Sequence, residues 1–186
     1  MSEPTLQDRF HLIGIGGAGM SVVAELLASR GATVVGSDRE ESAVLDHLRS
    51  VGVRVFVGHD ASHVDPNAVV VVSTAIREEN PELAVARERG QLVIHRSQAL
   101  ALAASGMRFI GVAGAHGKTT TSGMLAIGLS ACGLDPSVAV GGVLPQLGTG
   151  AHLGGGDVFV AEADESDGSF LNYSPAIEIV TNVEPD

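Results

Sequence analysis

Short apolar runs alternate with amphipathic segments along the first hundred residues. The apolar runs predict five strands, at residues 10–13, 33–36, 54–57, 68–72 and 92–94. The segments between them predict helices over residues 20–30, 42–50, 81–89 and 97–104. The run at 68–72 is one alanine and four valines, which is typical of a strand buried on both faces. Strands that alternate with helices indicate a parallel sheet, so the pattern predicts the α/β class.

Capping residues support three of these helix starts. Ser42 and Ser97 each stand where an N-cap is expected, and Asn80-Pro81 combines a cap with proline at the first helical position. We therefore expect the second, third and fourth helices to begin directly after these residues.

Ser105-Gly106 marks a boundary, after which the pattern starts again. Strands are predicted at residues 108–110, 157–161 and 177–181, with a helix over 122–132. The stretch from Gly141-Gly142 through Gly154–Gly156 is predicted to be exposed connection. No helix follows the last strand to cover it. The sequence thus predicts two domains, residues 1–106 and residues 107–186, the second of them incomplete.

Composition and charge narrow the possible functions. The chain has 186 residues, 45% of them hydrophobic, only 3% aromatic and none of them Trp, so its core must be aliphatic. A formal net charge of −11 argues against binding to nucleic acid or to anionic membrane surfaces. The single cysteine, Cys132, excludes an internal disulfide, and no apolar run approaches the roughly 20 residues of a membrane span. The polar N-terminus is no signal peptide, so we expect a cytoplasmic protein.

A glycine-rich turn follows the first predicted strand. Gly14 to Gly19 read G-I-G-G-A-G, a G-x-G-x-x-G pattern placed between a strand and a helix. Asp38 ends the second strand, at the distance where a dinucleotide fingerprint places the acid that holds a ribose. The pattern also fits a tight turn with Asp38 merely solvated. His59 and Ser73-Thr74 fall at the same edge of the predicted sheet, although a single loop histidine is as often solvated as bound to a ligand.

A second glycine-rich turn opens the second half of the chain. Residues 111–121 read G-V-A-G-A-H-G-K-T-T-T, between a strand and a helix. Backbone N–H groups in such a loop cradle phosphates, the lysine reaches the outer phosphates and the hydroxyl of Thr119 can ligate Mg²⁺. Lys118 is the only lysine among eleven basic residues. One departure is that Val112 stands where the general P-loop pattern has glycine. A glycine-rich turn that merely precedes a lysine remains the alternative.

Acidic residues follow the strand predicted at 157–161. Glu162, at the strand tip, is the best candidate for a metal ligand, since carboxylates beside a phosphate loop can hold Mg²⁺. Asp164, Glu165 and Asp167 follow it, and the last two fit a solvated acidic turn as well. Cys132 lies at a helix end without an adjacent cation and is interpreted as structural.

Taken together, the motifs resemble those of the Mur ligases, over essentially the whole chain and in order. The segments that carry the resemblance are residues 14–21, 36–38, 114–121, 162–170 and 181–186. His116 and Ser166 point to the branch that adds L-alanine to UDP-N-acetylmuramate, while Ala115 departs from the threonine common in that branch. The resemblance implies a Rossmann-like UDP-binding domain followed by the start of a P-loop ATPase domain. It also implies that the chain is an N-terminal part, inactive by itself, of an enzyme with three domains.

The resemblance further implies ligands and roles for individual residues. The enzyme would use ATP and Mg²⁺ to convert the muramate carboxylate to an acyl phosphate, which the amine of L-alanine then attacks. Lys118, Thr119 and Glu162 would be catalytic, with Thr119 and Glu162 on the metal. ATP would lie on Gly114, Ala115, His116, Gly117, Lys118, Thr119 and Thr120. The UDP-sugar would contact Gly16, Gly17, Ala18, Gly19, Met20, Ser21, Ser37, Asp38, His59 and Thr74, with Asp38, His59 and Thr74 near the uridine.

Two other functions are compatible with parts of the sequence. The chain could be a binding module that holds a UDP-sugar without turnover. An NAD-dependent oxidoreductase would use the Gly14–Gly19 turn and Asp38, but it leaves the Lys118 loop and Glu162 without a role. Exposed sheet edges in the second domain would favour self-association, including a homodimer.

Overall fold

The computed structural model describes residues 3–163 and 169–184 and divides the chain into two compact units, Met1–Ala103 and Ala104–Asp186. The sequence places the domain boundary at residue 106, close to this division. Among the described residues, no helix has both the length and the apolar character that crossing a membrane requires.

The first unit is a parallel sheet of five strands with order β3-β2-β1-β4-β5. Its strands are β1 Arg9–Ile13, β2 Thr33–Asp38, β3 Arg54–Val57, β4 Ala68–Val72 and β5 Val93–His95. Its helices are α1 Ala18–Ser29, α2 Ala43–Ser50, α3 Pro81–Glu88 and α4 Arg96–Ala103. The predicted α/β class is confirmed. The chain leaves β1 towards β2 on one side while β4 lies on the other, and such a switch in strand order opens a crevice at the carboxyl ends of the strands.

Side-chain caps set two of the helix starts as predicted. The Ser42 hydroxyl accepts from the Leu45 N–H at 3.4 Å. The Asn80 side chain accepts from the N–H groups of Glu82 and Leu83 at 2.9 and 3.3 Å, with proline at the first turn.

The predicted cap at Ser97 is wrong, because α4 already begins at Arg96. The Gln98 side chain accepts from the His95 N–H at 2.9 Å, and the Ser97 hydroxyl pairs with His95 Nδ1 at 2.8 Å. These two bonds organise the chain one residue earlier and leave Ser97 buried in the first turn.

The second unit is a mixed sheet of five strands with order β10-β6-β9-β7-β8. Four strands are parallel, and β8 runs antiparallel to β7. The elements are β6 Arg108–Ala113, α5 Lys118–Ala131, β7 Ser137–Leu144, β8 Thr149–His152, β9 Val158–Glu162 and β10 Ile177–Val180. Helix α5 packs Leu125 and Leu129 against Ile110, Val158 and Val160 of the sheet.

The stretch predicted to be exposed connection contains the hairpin of β7 and β8. Gly141 and Gly142 lie within β7, whereas composition alone had placed them in a loop. The reason lies in the partner strand, since a Cβ on Gly150 would come within 2.5 Å of the Val140 carbonyl and 2.6 Å of the Gly142 carbonyl. Here glycine permits close backbone approach, which is its other common role in strands.

Candidate functional site

The first glycine-rich turn is tied to the end of β2. The N–H groups of Gly14 and Ile15 donate to the Ser37 carbonyl at 2.8 and 2.9 Å, and the Gly17 N–H donates to the Gly14 carbonyl at 3.1 Å. Gly14 has φ of +75°, a conformation that other residues rarely adopt. The turn therefore folds back over the carboxyl end of the sheet instead of extending from β1.

Asp38 holds this turn through its carboxylate. Oδ2 accepts from the Gly16 N–H at 2.7 Å and Oδ1 accepts from the Arg39 N–H at 2.7 Å. Each carboxylate oxygen has a second lone-pair direction, so the group can still accept from a ligand hydroxyl. The structure thus gives Asp38 a structural role that the sequence did not predict, and its contact with a ribose stays a prediction.

The N-terminus of α1 opens directly after the turn. Its N-cap is Gly17, which has no side chain to cap the helix, and the first helical bond runs from the Ser21 N–H to the Gly17 carbonyl at 2.8 Å. The N–H groups of Ala18, Gly19 and Met20 precede this bond and carry the partial positive charge of the helix end. Such a terminus can bind phosphate.

A groove of about 610 Å³ lies over this helix end. Most of the predicted substrate residues share it, including the glycine turn, Met20, Asp38 and Thr74. Arg96, from the start of α4, also lines the groove, and a Cβ on Gly19 would overlap its guanidinium. Arg96 was not among the residues predicted from the sequence. Its position directly after β5, at the same edge of the sheet, is the signal that could have found it.

His59 lines a neighbouring cavity of about 710 Å³ together with Arg39 and Arg77. The two cavities adjoin, because Ala75 and Ile76 line both of them. Two arginines in one cavity are notable in a chain of net charge −11. Glu79 lines the same cavity, so the two guanidinium groups provide single local cations and not a cationic surface.

Ser37 and Ser21 differ from the other predicted substrate residues. Ser37 is fully buried and its hydroxyl donates to Glu82 at 2.5 Å, so its side chain has no access to a ligand. The Ser21 hydroxyl donates to the Ala18 carbonyl at 3.1 Å within α1. Both side chains thus serve the local structure of the turn and helix in this arrangement.

Glu82 was not predicted, although its side chain accepts four hydrogen bonds. Its buried carboxylate accepts hydrogen bonds from His11, Ser37, His63 and the Asp60 backbone. Burial acts to raise the pKa of Glu82, but the hydrogen bonds from His11 and Ser37 outweigh it and hold the pKa below its usual value. An acid in the first turn of a helix is ordinary in sequence, since it complements the helix dipole, so nothing singled it out.

The Lys118 loop of the second unit closes over its own lysine. Lys118 Nζ donates to the Gly114 carbonyl at 2.6 Å, and Gly114 and Gly117 have φ of +128° and +83°. Helix α5 begins at Lys118 with Gly117 as a left-handed N-cap, four residues before the predicted start at 122. Its first N–H groups, including those of Thr119 and Thr120, therefore face the loop. Val112, the departure from the general motif, is fully buried in β6.

The segment after β10 holds the loop from the other side. Thr181 Oγ1 lies 2.6 Å from the His116 carbonyl and 3.1 Å from the Ala113 carbonyl. The Asn182 side chain accepts from the His116 N–H at 3.1 Å. Thr181 and Asn182 were part of the resemblance without an assigned role, and the structure shows that they fix the loop. The His116 ring is exposed, 3.5 Å from Glu184, and Ala115 lies between these anchors.

Thr119 and Glu162 lie beside two consecutive glycines of β7. Glu162 Oε1 accepts from the Gly141 N–H at 3.2 Å. A Cβ on Gly142 would lie 3.2 Å from the Thr119 side chain. The predicted metal ligands are thus brought to the same edge. Four residues of the acidic turn lie outside the described residues: Asp164, Glu165, Ser166 and Asp167. Among the residues that the structure describes, no group of three or more His, Cys, Asp or Glu could hold a metal ion.

The loop has the features that a nucleoside triphosphate and Mg²⁺ require. A phosphate site typically uses glycines with positive φ, a lysine ammonium and a helix N-terminus, and this loop has all three in Gly114, Gly117, Lys118 and the start of α5. The Thr119 hydroxyl and the Glu162 carboxylate are oxygen donors of the kind that Mg²⁺ prefers. On these observations the residues present fit both groups.

Comparison with known proteins gives a consistent result. The family model described as "Mur ligase family, catalytic domain" matches residues 9–108. The UDP-N-acetylmuramate–L-alanine ligase of Streptomyces coelicolor is 58% identical over 184 residues, which are 98% of this chain and 40% of that protein. The protein of the same name from Renibacterium salmoninarum is 56% identical over 178 residues, 96% of this chain and 38% of the relative. The chain thus spans about two fifths of the length of these relatives.

Solved structures agree with the fold. A UDP-N-acetylmuramate-alanine ligase from Thermotoga maritima has a TM-score of 0.83 at 34% identity, covering 94% of this chain and 41% of that one. A UDP-N-acetylmuramate:L-alanyl-gamma-D-glutamyl-meso-diaminopimelate ligase from Neisseria meningitides has a TM-score of 0.88 at 30% identity, covering 97% and 62%. The resemblance to the Mur ligases, and to their alanine-adding branch, is confirmed by the sequence relatives.

Proposed function

Because the chain belongs to the Mur ligase family, we propose that it carries the UDP-N-acetylmuramate site and the phosphate loop of an ATP-dependent ligase. That enzyme would join L-alanine to the carboxylate of UDP-N-acetylmuramate in peptidoglycan precursor synthesis. The observation that carries the proposal is the presence of two separate glycine-rich turns, each leading into a helix and one in each unit. The relatives of the chain are named for this reaction.

The first unit would bind the UDP-sugar. Its diphosphate would lie on the N-terminus of α1, where the N–H groups of residues 18–20 and the Arg96 guanidinium supply positive charge. Asp38, Thr74 and His59 would contact the uridine from the two adjoining cavities. Local cations are needed here because the net charge of the chain repels anions.

The second unit would bind ATP and Mg²⁺. Gly114 to Thr120 would hold the phosphates, with Lys118 on the outer ones and Thr119 and Glu162 on the metal. When bound, ATP would supply the phosphoryl group that activates the muramate carboxylate as an acyl phosphate for attack by the amine of L-alanine. Lys118 and the loop amides would offset the charge of two anionic groups that must approach each other. Thr181 and Asn182 would keep those amides in place.

Lys118→Ala is the direct test of this division of labour. ATP affinity should be lost, because the variant removes the cation of the loop, while UDP-N-acetylmuramate affinity should be unchanged, because that site lies in the other unit. Titration calorimetry of both ligands against the unmodified chain and the variant measures this. Equal loss of both affinities would contradict the assignment.

The other functions lead to different results in the same titrations. A binding module without catalysis would bind the UDP-sugar and show no ATP affinity in the unmodified chain. A dehydrogenase would bind NAD with no dependence on Lys118. The ligase proposal is preferred because it uses both turns. We place the protein in the cytoplasm, where its nucleotide substrates would be found.

Self-association is a further part of the proposal. Strand β10 is an edge of its sheet and exposes Ile177 and Val180 by 56% and 53%, and Leu171 nearby is 77% exposed. An edge strand with apolar side chains pairs readily with a second copy. Sedimentation velocity should show a dimer that Ile177→Lys weakens, and a monomer at all concentrations would refute this part.

A further inference from the structure

The carboxylate of Glu82 is a buried hub of four hydrogen bonds. Oε2 accepts from His11 Nε2 at 3.1 Å and from the Ser37 hydroxyl at 2.5 Å. Oε1 accepts from the Asp60 N–H at 3.2 Å and from His63 Nδ1 at 3.1 Å. The side chain of Glu82 has no solvent exposure. It therefore joins β1, the end of β2 and the loop after β3 to the first turn of α3.

Proton positions in this cluster follow from the acceptors. An ionised carboxylate can only accept, so each of its four partners must be a donor. The Ser37 hydroxyl has a single hydrogen, which it gives to Glu82. Its oxygen then accepts from His59 Nδ1, 2.9 Å away. The proton of His59 is thus on Nδ1, and the Glu82 carboxylate, 3.6 Å from that nitrogen, favours the same position.

Two further histidines face the Glu82 carboxylate as donors. His11 is buried, and its Nδ1 has no hydrogen-bond partner among the described residues. Nε2 is therefore the nitrogen through which His11 donates to Glu82. His63 stacks on Phe56 at 4.1 Å between ring centroids and donates through Nδ1. Within the described part of the chain, His11, His59 and His63 are the titratable side chains paired with Glu82.

The position of the proton on His59 determines whether the ring donates a hydrogen bond to a ligand or accepts one from it. With Nδ1 donating to Ser37, the nitrogen left for the cavity shared with Arg39 and Arg77 is Nε2. A neutral Nε2 is a hydrogen-bond acceptor, whereas the two guanidinium groups are donors only. Glu79 and Asn80 also line the cavity, and Nε2 adds a neutral acceptor beside the two guanidinium donors. A uracil ring presents the matching edge, an N–H between two carbonyls, while the cytosine edge has no N–H at that central position.

We propose that Glu82 is a positioning residue that acts through Ser37 to hold His59 in its Nδ1–H form, so that Nε2 accepts a hydrogen bond from the bound base. The role of the base rests on the proposed function, whereas the state of His59 does not. Ser37 extends the effect to the diphosphate side of the groove, because its carbonyl holds the N–H groups of Gly14 and Ile15. One buried carboxylate therefore organises both parts of the UDP-sugar site.

Nitrogen NMR of the full chain tests the position of the His59 proton without any ligand. With ¹⁵N-labelled histidine, at a pH high enough to keep imidazoles neutral, long-range ¹H–¹⁵N spectra distinguish a protonated ring nitrogen from a bare one. His59, assigned by its loss in His59→Gln, should show a protonated Nδ1 and a bare Nε2. A protonated Nε2 in the unmodified chain would overturn the proposal, whether or not any variant folds.

Glu82→Gln tests the causal link. An amide cannot accept four hydrogen bonds, so the Ser37 hydroxyl should turn to donate to His59 Nδ1, and the ring proton should move to Nε2. Glu88→Gln, the same chemical change at an exposed position of α3, should leave the His59 spectrum as in the unmodified chain. An unchanged spectrum in a folded Glu82→Gln variant would show that Glu82 does not set the tautomer.

The relative affinities for UDP and CDP test whether His59 Nε2 accepts a hydrogen bond from the base. The ratio of UDP to CDP affinity should fall about tenfold in Glu82→Gln, the size expected when one ligand hydrogen bond becomes a contact between two donors. Glu88→Gln should keep the ratio. A merely structural loss would lower both affinities together and leave the ratio intact, which would refute the specificity role. If the unmodified chain binds neither nucleotide, the proposed function fails, while the NMR result still decides the state of His59.

Discussion

Gly114→Ala provides the sharpest prediction about the phosphate loop. Gly114 has φ of +128°, a conformation that an L side chain rarely adopts. A Cβ there would overlap Thr181 Oγ1 and would lie 3.0 Å from both the backbone nitrogen and the oxygen of Asn182. The side chain has no room to turn away, because two of the three neighbours are backbone atoms.

The expected cost combines two effects. A non-glycine residue in a sparsely populated backbone region costs about 1–3 kcal/mol. Forcing an extra carbon into a packed contact costs a further 1–3 kcal/mol or so. The variant should therefore lose about 2–6 kcal/mol of unfolding free energy in the second unit. This is a large part of the roughly 5–15 kcal/mol that holds a domain together. Because Thr181 must move, its bonds to His116 and Ala113 should also be lost.

The sequence supplies its own probe for this experiment. Tyr173 is the only tyrosine, there is no Trp, and its ring stacks on Phe109 with centroids 5.1 Å apart. Tyrosine fluorescence during urea unfolding therefore reports on the second unit alone.

Gly128→Ala is the matched control, since a Cβ at that position of α5 meets nothing within 4 Å. Alanine should stabilise this helix by about 0.5–1 kcal/mol. Equal urea midpoints for the Gly114 variant and the unmodified chain would refute the close packing of Thr181 on the loop.

Three further predictions follow from the two sites. Arg96→Gln should weaken UDP-N-acetylmuramate binding about 10- to 150-fold by calorimetry, as expected for a hydrogen bond to a charged group, and leave ATP affinity unchanged. An unchanged UDP-sugar affinity would exclude Arg96 from the diphosphate site. Thr181→Val keeps the shape of the side chain but removes the hydroxyl that contacts the loop. The unfolding free energy of the second unit should fall by about 1–2 kcal/mol and ATP affinity should fall with it. An unchanged unfolding free energy would contradict the anchoring role of Thr181. The folded pKa of Glu82 lies below its usual 4.5, so the ionised carboxylate contributes fully to stability above pH 4.5. That contribution is lost as the pH falls through the folded pKa. The urea midpoint of the first unit should therefore drop as the pH is lowered below 4.5, and it should drop less steeply in Glu82→Gln.

Local signals explain which parts of the fold were predictable. The strands at 54–57 and 68–72 have the predicted bounds, because short runs of valine, with Phe56 in the first of them, lie between turns and favour extended backbone. The caps at Ser42 and Asn80 were also readable, since a capping residue acts on neighbours two or three positions away. In both cases the decisive interactions are short-range.

The hairpin of β7 and β8 depends on partners distant in sequence. Gly141 and Gly142 read as loop residues by composition, and only the approach of β8 at Gly150 makes them strand residues. No local pattern encodes that approach.

The same reason limits prediction of the sites. The glycine turns and Asp38 were found because their spacing is a local motif. Arg96 and Glu82 were not found, because their contacts are with residues of other strands and loops that only the folded sheet brings next to them. Glu82 is separated by 71 residues from His11 and by 45 from Ser37, and the contacts with both of them require the completed sheet.

Calorimetric titration of the full chain with UDP-N-acetylmuramate, with NAD in parallel, tests the central claim most directly. The structure predicts saturable binding of the UDP-sugar to the groove at the start of α1 and no binding of NAD. Binding of NAD without the UDP-sugar would contradict the ligase assignment of the first unit.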